Sequence, residues 1–300
     1  MIPFKNITLE DKEIIQSFTL ENWRRNCELS FANLFSWSFM YSTQYAVADD
    51  FLLMRFFYNN ELVYMMPIGG GNLRHALQAI IDDAKSMQIS FRIQGACRNL
   101  CGELEEAMPH TFKYSINRKY SDYIYLRENL VTLKGKKLQS KRNFINRFLK
   151  NNSNYEYKTL TSDLAKECIE LEKLWYNKNV TAEEQDALSA ERTALTLAIN
   201  NMNALDLLGG ALFVNGKIAA FTYGSPINYE TFDVCIEKAD TSVEGAYAMI
   251  NNEFAKHIPE KYIYINREED LDIPGLRKAK LSYQPEMILE KYNVELIDNS

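Results

Sequence analysis

Long apolar runs are missing from this chain of 300 residues. No stretch approaches the ~18 apolar residues with which a helix crosses a bilayer. Histidine is almost absent: His75, His110 and His257 are the only three, which argues against a histidine-based triad. None of them stands at metal-ligand spacing from the CxxxC pair Cys97 and Cys101. No metal site is therefore expected, and two buried thiols beside a helix fit that pair better. The five cysteines are odd in number and irregularly spaced, which excludes a disulfide framework and points to reduced thiols. A surplus of positive charge is also lacking. The net charge of −6 excludes a generally basic surface that coats nucleic acid. The opening residues, Met1 to Glu13, are too charged for a secretory signal. A cytoplasmic location is expected.

What the chain does have is enough apolar content for about two domains, and a repeated order of elements. The apolar segment Ile2–Ile7 precedes a helix that Thr8 can cap with Asp11 three residues on, and an aromatic helix spans Ser30–Trp37. Strands are expected over Tyr41–Ala48, Phe51–Tyr58 and Glu61–Ile68, with Asp49-Asp50 and Asn59-Asn60 as tight turns. Gly69-Gly70-Gly71 leads to a helix ending at Met87, then a strand over Ile89–Ile93. A short helix near Leu100–Ala107 and the segment Phe112–Leu126 complete the half. The same order recurs. It runs from the strand Tyr155–Leu160, through a helix carrying Leu164, Cys168 and Leu171 and another over Ala182–Met202, to strands Gly210–Val214, Lys217–Gly224 and Thr231–Glu237. Asn215-Gly216 is a type I′ hairpin signal. A helix from Gly245 to His257, a strand at Tyr262–Ile265, a short helix and the apolar stretch Met287–Ile297 follow.

This order resembles the Gcn5-related acyltransferase fold written twice: an α+β chain of tandem domains, with mixed central sheets flanked by helices. The expected divisions are an N-terminal domain over 1–130, a basic linker helix over 131–152 and a C-terminal domain over 153–300. An unrelated pair of α+β domains is the alternative.

From Asn129 to Tyr155 seven residues are basic and none is acidic. On a helical wheel Lys137, Lys141, Phe144, Ile145 and Phe148 share one face, while Arg147 and Lys150 turn elsewhere. Two readings fit. The lysines snorkel at the edge of a core, or they project over a cavity that takes phosphate or another anion. The stretch from Ile265 to Pro285 reads as a buried strand that ends in charge: Asn266, Arg267, Glu268 and Asp270, then a basic helix. Charges of both signs at the end of an apolar strand need water or each other, which is the composition of a cleft.

Three runs resemble a bacterial family of uncharacterised proteins grouped with the C-terminal domain of phosphatidylglycerol lysyltransferase. They are Gly135–Phe148, Asn117–Tyr125, and Asn266–Leu271 continued by Gly275–Pro285. Ser30–Trp37 and Ile236–Ala239 fit as well, so the likeness covers essentially the whole chain. The resemblance implies a tandem Gcn5-like fold shared with Fem peptidyltransferases, and an amino acid moved from aminoacyl-tRNA. Phosphatidylglycerol lysyltransferase delivers it to a lipid headgroup. This sequence keeps the family's Gly275, Arg277, Lys280, Tyr283 and Pro285 but has no multi-span region, which puts a lipid acceptor at the membrane surface in doubt.

The expected function is a soluble aminoacyl- or acyltransferase with an amine or lipid-headgroup acceptor. The alternatives are an acyl-CoA-dependent N-acyltransferase and a non-catalytic module that binds an anionic metabolite or nucleotide. Coenzyme A thioester ranks below aminoacyl-tRNA as donor. In coenzyme-dependent members of the fold, a glycine-rich loop at a helix N-terminus holds the pyrophosphate. Here that loop, Ala239–Ala246, keeps only Gly245-Ala246 and carries Asp240 and Glu244 where phosphates would lie. Gly69-Gly70-Gly71 in the first half reads either as a phosphate loop or as a turn. Glu237 and Asp270 are the candidate catalytic carboxylates. Candidates for holding substrate or anion are Lys137, Lys141, Arg142, Asn146, Tyr123, Asn266, Arg267, Glu268, Arg277, Lys280 and Tyr283.

Overall fold

The computed structural model describes residues 2–58, 61–179 and 185–297. The first half runs β1 (Lys5–Asn6), α1 (Lys12–Thr19), α2 (Phe31–Ser36), α3 (Ser38–Tyr41), β2 (Gln44–Ala48), β3 (Phe51–Tyr58), β4 (Glu61–Tyr64) and β5 (Ile68–Gly69). It continues with α4 (Leu73–Ser86), β6 (Arg92–Ala96), α5 (Arg98–Ala107), β7 (Phe112–Ile116), β8 (Asp122–Leu126) and α6 (Arg127–Thr132). The basic segment forms α7 (Gln139–Asn151). Next come β9 (Glu156–Thr159), α8 (Ala165–Asn179), α9 (Gln185–Asn200), β10 (Leu208–Val214), β11 (Lys217–Pro226) and β12 (Thr231–Ala239). The chain ends with α10 (Ala246–His257), β13 (Tyr264–Asn266), α11 (Pro274–Leu281), β14 (Met287–Leu289) and β15 (Tyr292–Leu296). The Asn59-Asn60 turn and the expected start of a helix at Ala182 lie outside the described residues.

Local chemistry accounts for the turns. Asp49 and Asp50 adopt φ of 49° and 62°, and Asn215 and Gly216 adopt 52° and 74°, the left-handed pair that a type I′ hairpin requires. The Asn72 side chain accepts a hydrogen bond from the His75 N–H and so caps α4, a role for which asparagine is well suited.

Two mixed sheets result. The first has the order β1-β2-β3-β4-β6-β15-β7, with β5 beside β3, and the second β14-β8-β13-β12-β11-β10-β9. Each contains an antiparallel meander, a helix and a parallel return, β4 to β6 in one and β12 to β13 in the other. This is the doubled Gcn5-like order that the periodicity predicts, with one difference. The strands next to the end of each sheet are exchanged. β8 lies between β13 and β14, and β15 lies between β6 and β7. The expected segment Phe112–Leu126 is therefore two strands in different sheets, and Met287–Ile297 likewise divides. The divisions at 130 and 153 separate strands that pair with one another, so the domains are not contiguous in sequence. A strand carries a record of its buried face but none of its partner.

The halves also share a core. Ile15, Phe31 and Leu52 from the first pack in one cluster with Leu171, Leu195 and Phe221 from the second. The outer face of the first sheet is covered by α4 and α5 through Leu77, Ile80 and Leu100. That of the second is covered by α6, α7 and α10.

Two features of the second sheet shape the site. The β11–β12 register shifts between Tyr223 and Ser225, where a side chain on Gly224 would collide with the backbone carbonyl of Asp233. The glycine thus permits the bulge. The parallel pairing of β12 with β13 ends at Asp233 and Asn266, while β12 continues beside β11 to Ala239. The two strands part there, and charged side chains line both sides of the opening.

Candidate functional site

On the α10 side of the opening stands a cluster built from six separate segments. Arg267, just past β13, donates to Glu237 of β12 (Nη2 to Oε1, 2.9 Å), and Asn251 of α10 donates to the other carboxylate oxygen (3.0 Å). The Arg267 guanidinium lies over the rings of Tyr283 (4.7 Å) and Tyr125 (5.6 Å). Lys141 reaches in from α7, its ammonium 4.0 Å from the Tyr283 ring centre. Burial pushes the Lys141 amine down to about 8, and Arg267 adds repulsion. Arg267 Nη1 and Asn251 Oδ1 are buried and have no hydrogen-bond partner. The Asn251 orientation follows from chemistry, since a carboxylate only accepts and its neighbour must be the amide nitrogen. A spare donor and a spare acceptor therefore sit beside one carboxylate.

A second cluster surrounds Asp270, which is fully buried. Arg277 grips it with two hydrogen bonds of 2.8 Å, Tyr123 donates to it (2.5 Å), and Arg118 donates to the Tyr123 hydroxyl (2.7 Å). Burial alone would raise the Asp270 carboxyl, but the hydrogen bonds from Arg277 and Tyr123 hold it well below the usual range. Arg277 also pairs with Asp272. All these groups are spoken for within the cluster, an arrangement that fixes the loop after β13. That loop carries backbone strain: Glu268, Leu271 and Asp272 have φ of 56°, 50° and 65°. Left-handed backbone at three non-glycine residues must be held in place by its surroundings, and here it fans out the side chains of 267 to 272.

Lys280 lies between the clusters and donates to the backbone carbonyls of Arg267 and Glu269. Asn266 ties Arg25 O (2.7 Å) to Asp122 (2.9 Å). Arg142 caps its own linker by donating to Leu133 O and Gly135 O. Lys137, in the turn just before α7, and Asn146 on α7 are exposed. Of the cations that sequence reasoning grouped together, Lys141 and Arg267 meet at one ring. Arg277 and Lys280 serve the loop, while Lys137 is exposed and Arg142 is engaged by its own linker. A broad hollow of ≈ 490 Å³ over α11 is lined by Pro274, Arg277, Lys278, Leu281 and Ser282, and reaches neither Lys141 nor Arg267.

On the opposite face lie two groups of carboxylates, with Asp122 and Asp233 fully buried and the three glutamates partly so, of which the sequence reading named only Glu268. Asp122, Glu28 and Glu269 surround Lys291, each 2.7 Å from its ammonium, with Cys27 Sγ at 3.5 Å. Burial alone would lower the Lys291 amine, but Asp122, the first of these neighbours, holds it well above its ordinary value. The second group is Asp233 and Glu268, bridged by Asn33, whose Nδ2 donates to both at 2.9 Å. Burial, then mutual repulsion, pushes Asp233 far up; burial and the nearby Glu269 push Glu268 up to about 8. Asp233 interrupts an apolar strand and Asp122 opens one. A carboxylate in such a run must have a partner, and that is the signal that could have found them.

Main-chain oxygens crowd glycines of both glycine-rich loops. A side chain on Gly245 (φ 83°) would strike the carbonyl of Phe144 in α7, so α7 lies directly across the α10 N-terminus, latched by Arg147 to Glu244 (2.6 Å). Gly69 and Gly71 pack against the backbone carbonyls of Asp50 and Asp49, oxygens that a phosphate would avoid. Among the described residues no helix is long and apolar enough to cross a membrane.

The family model of the phosphatidylglycerol lysyltransferase C-terminal region matches residues 23–295. A conserved protein of unknown function from Bacteroides thetaiotaomicron is 55% identical, with a TM-score of 0.96 over 99% of this chain and 100% of that one. The L-PGS structure from Bacillus licheniformis shares the fold at 13% identity, with a TM-score of 0.67 over 99% of this chain and 94% of that one. An uncharacterised protein from Mycoplasmoides gallisepticum is 27% identical over 186 residues, 61% of this chain and 58% of the relative's length.

Proposed function

The chain belongs to the family of the phosphatidylglycerol lysyltransferase C-terminal domain, and on that premise we propose that it is an aminoacyltransferase. It moves an amino acid from aminoacyl-tRNA to an amine or a lipid-headgroup acceptor. The observation that carries this reading is the pairing of a spare donor, Arg267 Nη1, with a spare acceptor, Asn251 Oδ1, both held by Glu237 beside Lys141. An aminoacyl ester offers the complement: a carbonyl oxygen that accepts and an amine that donates. In the reaction the acceptor nucleophile attacks the ester carbon, and Arg267 stabilises the oxyanion in a site that largely excludes water. The bond to the terminal ribose oxygen then breaks. Lys141, with its amine lowered to about 8, takes the proton from the nucleophile and returns one to the ribose oxygen, as a group titrating near working pH can. Glu237 orients Arg267 and Asn251.

Coenzyme A thioester is the weaker donor reading, because α7 covers the helix end at which its pyrophosphate would bind. The test uses the purified chain with mixed aminoacyl-tRNAs carrying labelled amino acids, and with amines or phosphatidylglycerol vesicles as acceptors. Label is expected to leave the tRNA and appear in the acceptor. Binding of charged tRNA with no transfer to any acceptor would favour the non-catalytic module instead.

A further inference from the structure

The two acidic groups near the parting strands differ in one respect that carries a consequence. Lys291 supplies a cation to Asp122, Glu28 and Glu269. Asp233 and Glu268 have no ion-pair partner among the described residues, and the lysine of the same strand, Lys238, is paired with Glu191 (2.6 Å). Asp233 is completely buried, and its Oδ1 has no hydrogen-bond partner. Burying a carboxylate without a cation or a full set of donors is costly, so an unpartnered oxygen at this depth points to a ligand.

The atoms around it have the chemistry of a metal site. Cys235 Sγ lies 3.4 Å from Asp233 Oδ2. One sulfur and one carboxylate oxygen on a tetrahedral zinc ion stand ~3.5 Å apart, from bond lengths of about 2.3 and 2.0 Å. Ligand atoms of Asp233, Cys235 and Glu268 all fall within 4.8 Å of one another. Asn33 donates to one oxygen of each carboxylate, the outer hydrogen bonding that orients ligands around an ion. Asp233 and Cys235 stand two residues apart on β12 and so face the same side of the sheet, beside the bulge at Gly224. Beside Cys235 opens a narrow cavity of ≈ 20 Å³, lined also by Asn33, Ser36 and Glu191. It is large enough for one water, and the buried Ser36 Oγ has no partner there.

We propose that Asp233, Cys235 and Glu268 bind a divalent ion of the zinc class, with a water from the adjoining cavity as the fourth ligand. The expectation from sequence, that no metal site exists, rested on histidine and CxxxC spacing. A site made of Asp-x-Cys on one strand and a glutamate in a distant loop leaves no such trace. Binding replaces the thiol proton and any proton on the carboxyls by the ion. Three protein ligands and one open position are the pattern of a reactive rather than a purely structural zinc centre. The inference is independent of the aminoacyl donor, since the cluster lies on the other face of the sheet from Lys141.

The probe is Co2+ added to the chelator-treated full chain, followed by absorption. The account expects one equivalent to give a near-ultraviolet thiolate-to-cobalt band that Zn2+ abolishes by displacement. Cys235→Ser should lose the band while Cys27→Ser keeps it, because Lys291 fills the other cluster. Asn33→Ala should weaken Co2+ binding about 10- to 100-fold, as loss of an outer-shell partner does, with the folded state checked by circular dichroism. Glu268→Gln offers a second ligand variant if Cys235→Ser does not fold. Folded wild-type protein without the band, or a band lost in Cys27→Ser and kept in Cys235→Ser, overturns the proposal.

Discussion

Replacing Lys291 by methionine is expected to lower the stability of the folded chain by about 3–5 kcal/mol at neutral pH, the usual cost of stranding a buried charge. Methionine preserves most of the side-chain volume, so packing loss is small. What is lost is the one ammonium that three carboxylates share, at 2.7 Å from each. Lys291 lies between β14 and β15, where the chain crosses from the second sheet back to the first, and Asp122 opens the strand that crosses the other way. The same ion cluster therefore fastens both crossings. The pH dependence has a definite sign. The folded Lys291 amine is raised above its ordinary 10.5, so its contribution is fully present below that value and fades only as pH climbs through the folded one. In wild type, burial pushes Glu28 up to about 7, so it is the partner that takes up a proton as pH falls through that value. In the methionine variant the carboxylates must take up protons, so the deficit should shrink as pH falls toward 5. Urea unfolding at the two pH values measures this. A deficit under about 1 kcal/mol at neutral pH would mean that water, not Lys291, satisfies the carboxylates.

Arg267→Ala is expected to reduce the transfer rate at least ~100-fold, the usual cost of losing a principal oxyanion donor. Arg267→Lys should rescue little, since an ammonium cannot both stack on Tyr283 and Tyr125 and reach Glu237 as the planar fork does. Lys141 gives a sharper signature. Its folded value is lowered to about 8, so the neutral, proton-accepting form grows as pH rises through that point. The wild-type rate should climb tenfold per unit below about 8 and level off above it. Lys141→Arg, always charged, should remove that limb while keeping the positive potential. An unchanged profile in this variant would assign the limb to another group.

Much of the fold was legible because periodicity reports which face a segment buries. The doubled order and the hairpins at Asp49-Asp50 and Asn215-Gly216 follow from local residues. The exchange of β8 and β15 does not, since an apolar strand fits any sheet with the right face. The site was legible in part. Lys141 stood out as a lysine on the apolar arc of its helix, and Arg267 and Glu237 as charges at strand ends. The same arc drew in Lys137, which faces water, because a helical wheel shows direction but not what lies beyond. Lys291, more than 260 positions from Glu28, had no local mark.

The most direct test of the account is equilibrium binding of an aminoacylated acceptor-stem hairpin with a non-hydrolysable amide link. It compares wild type with the double variant Lys141→Met and Arg267→Met across a salt series. The account predicts saturable binding that weakens with salt, and an affinity at least ~10-fold lower in the double variant, where a charged and a bidentate contact are both gone. Equal affinities for the two proteins would contradict it.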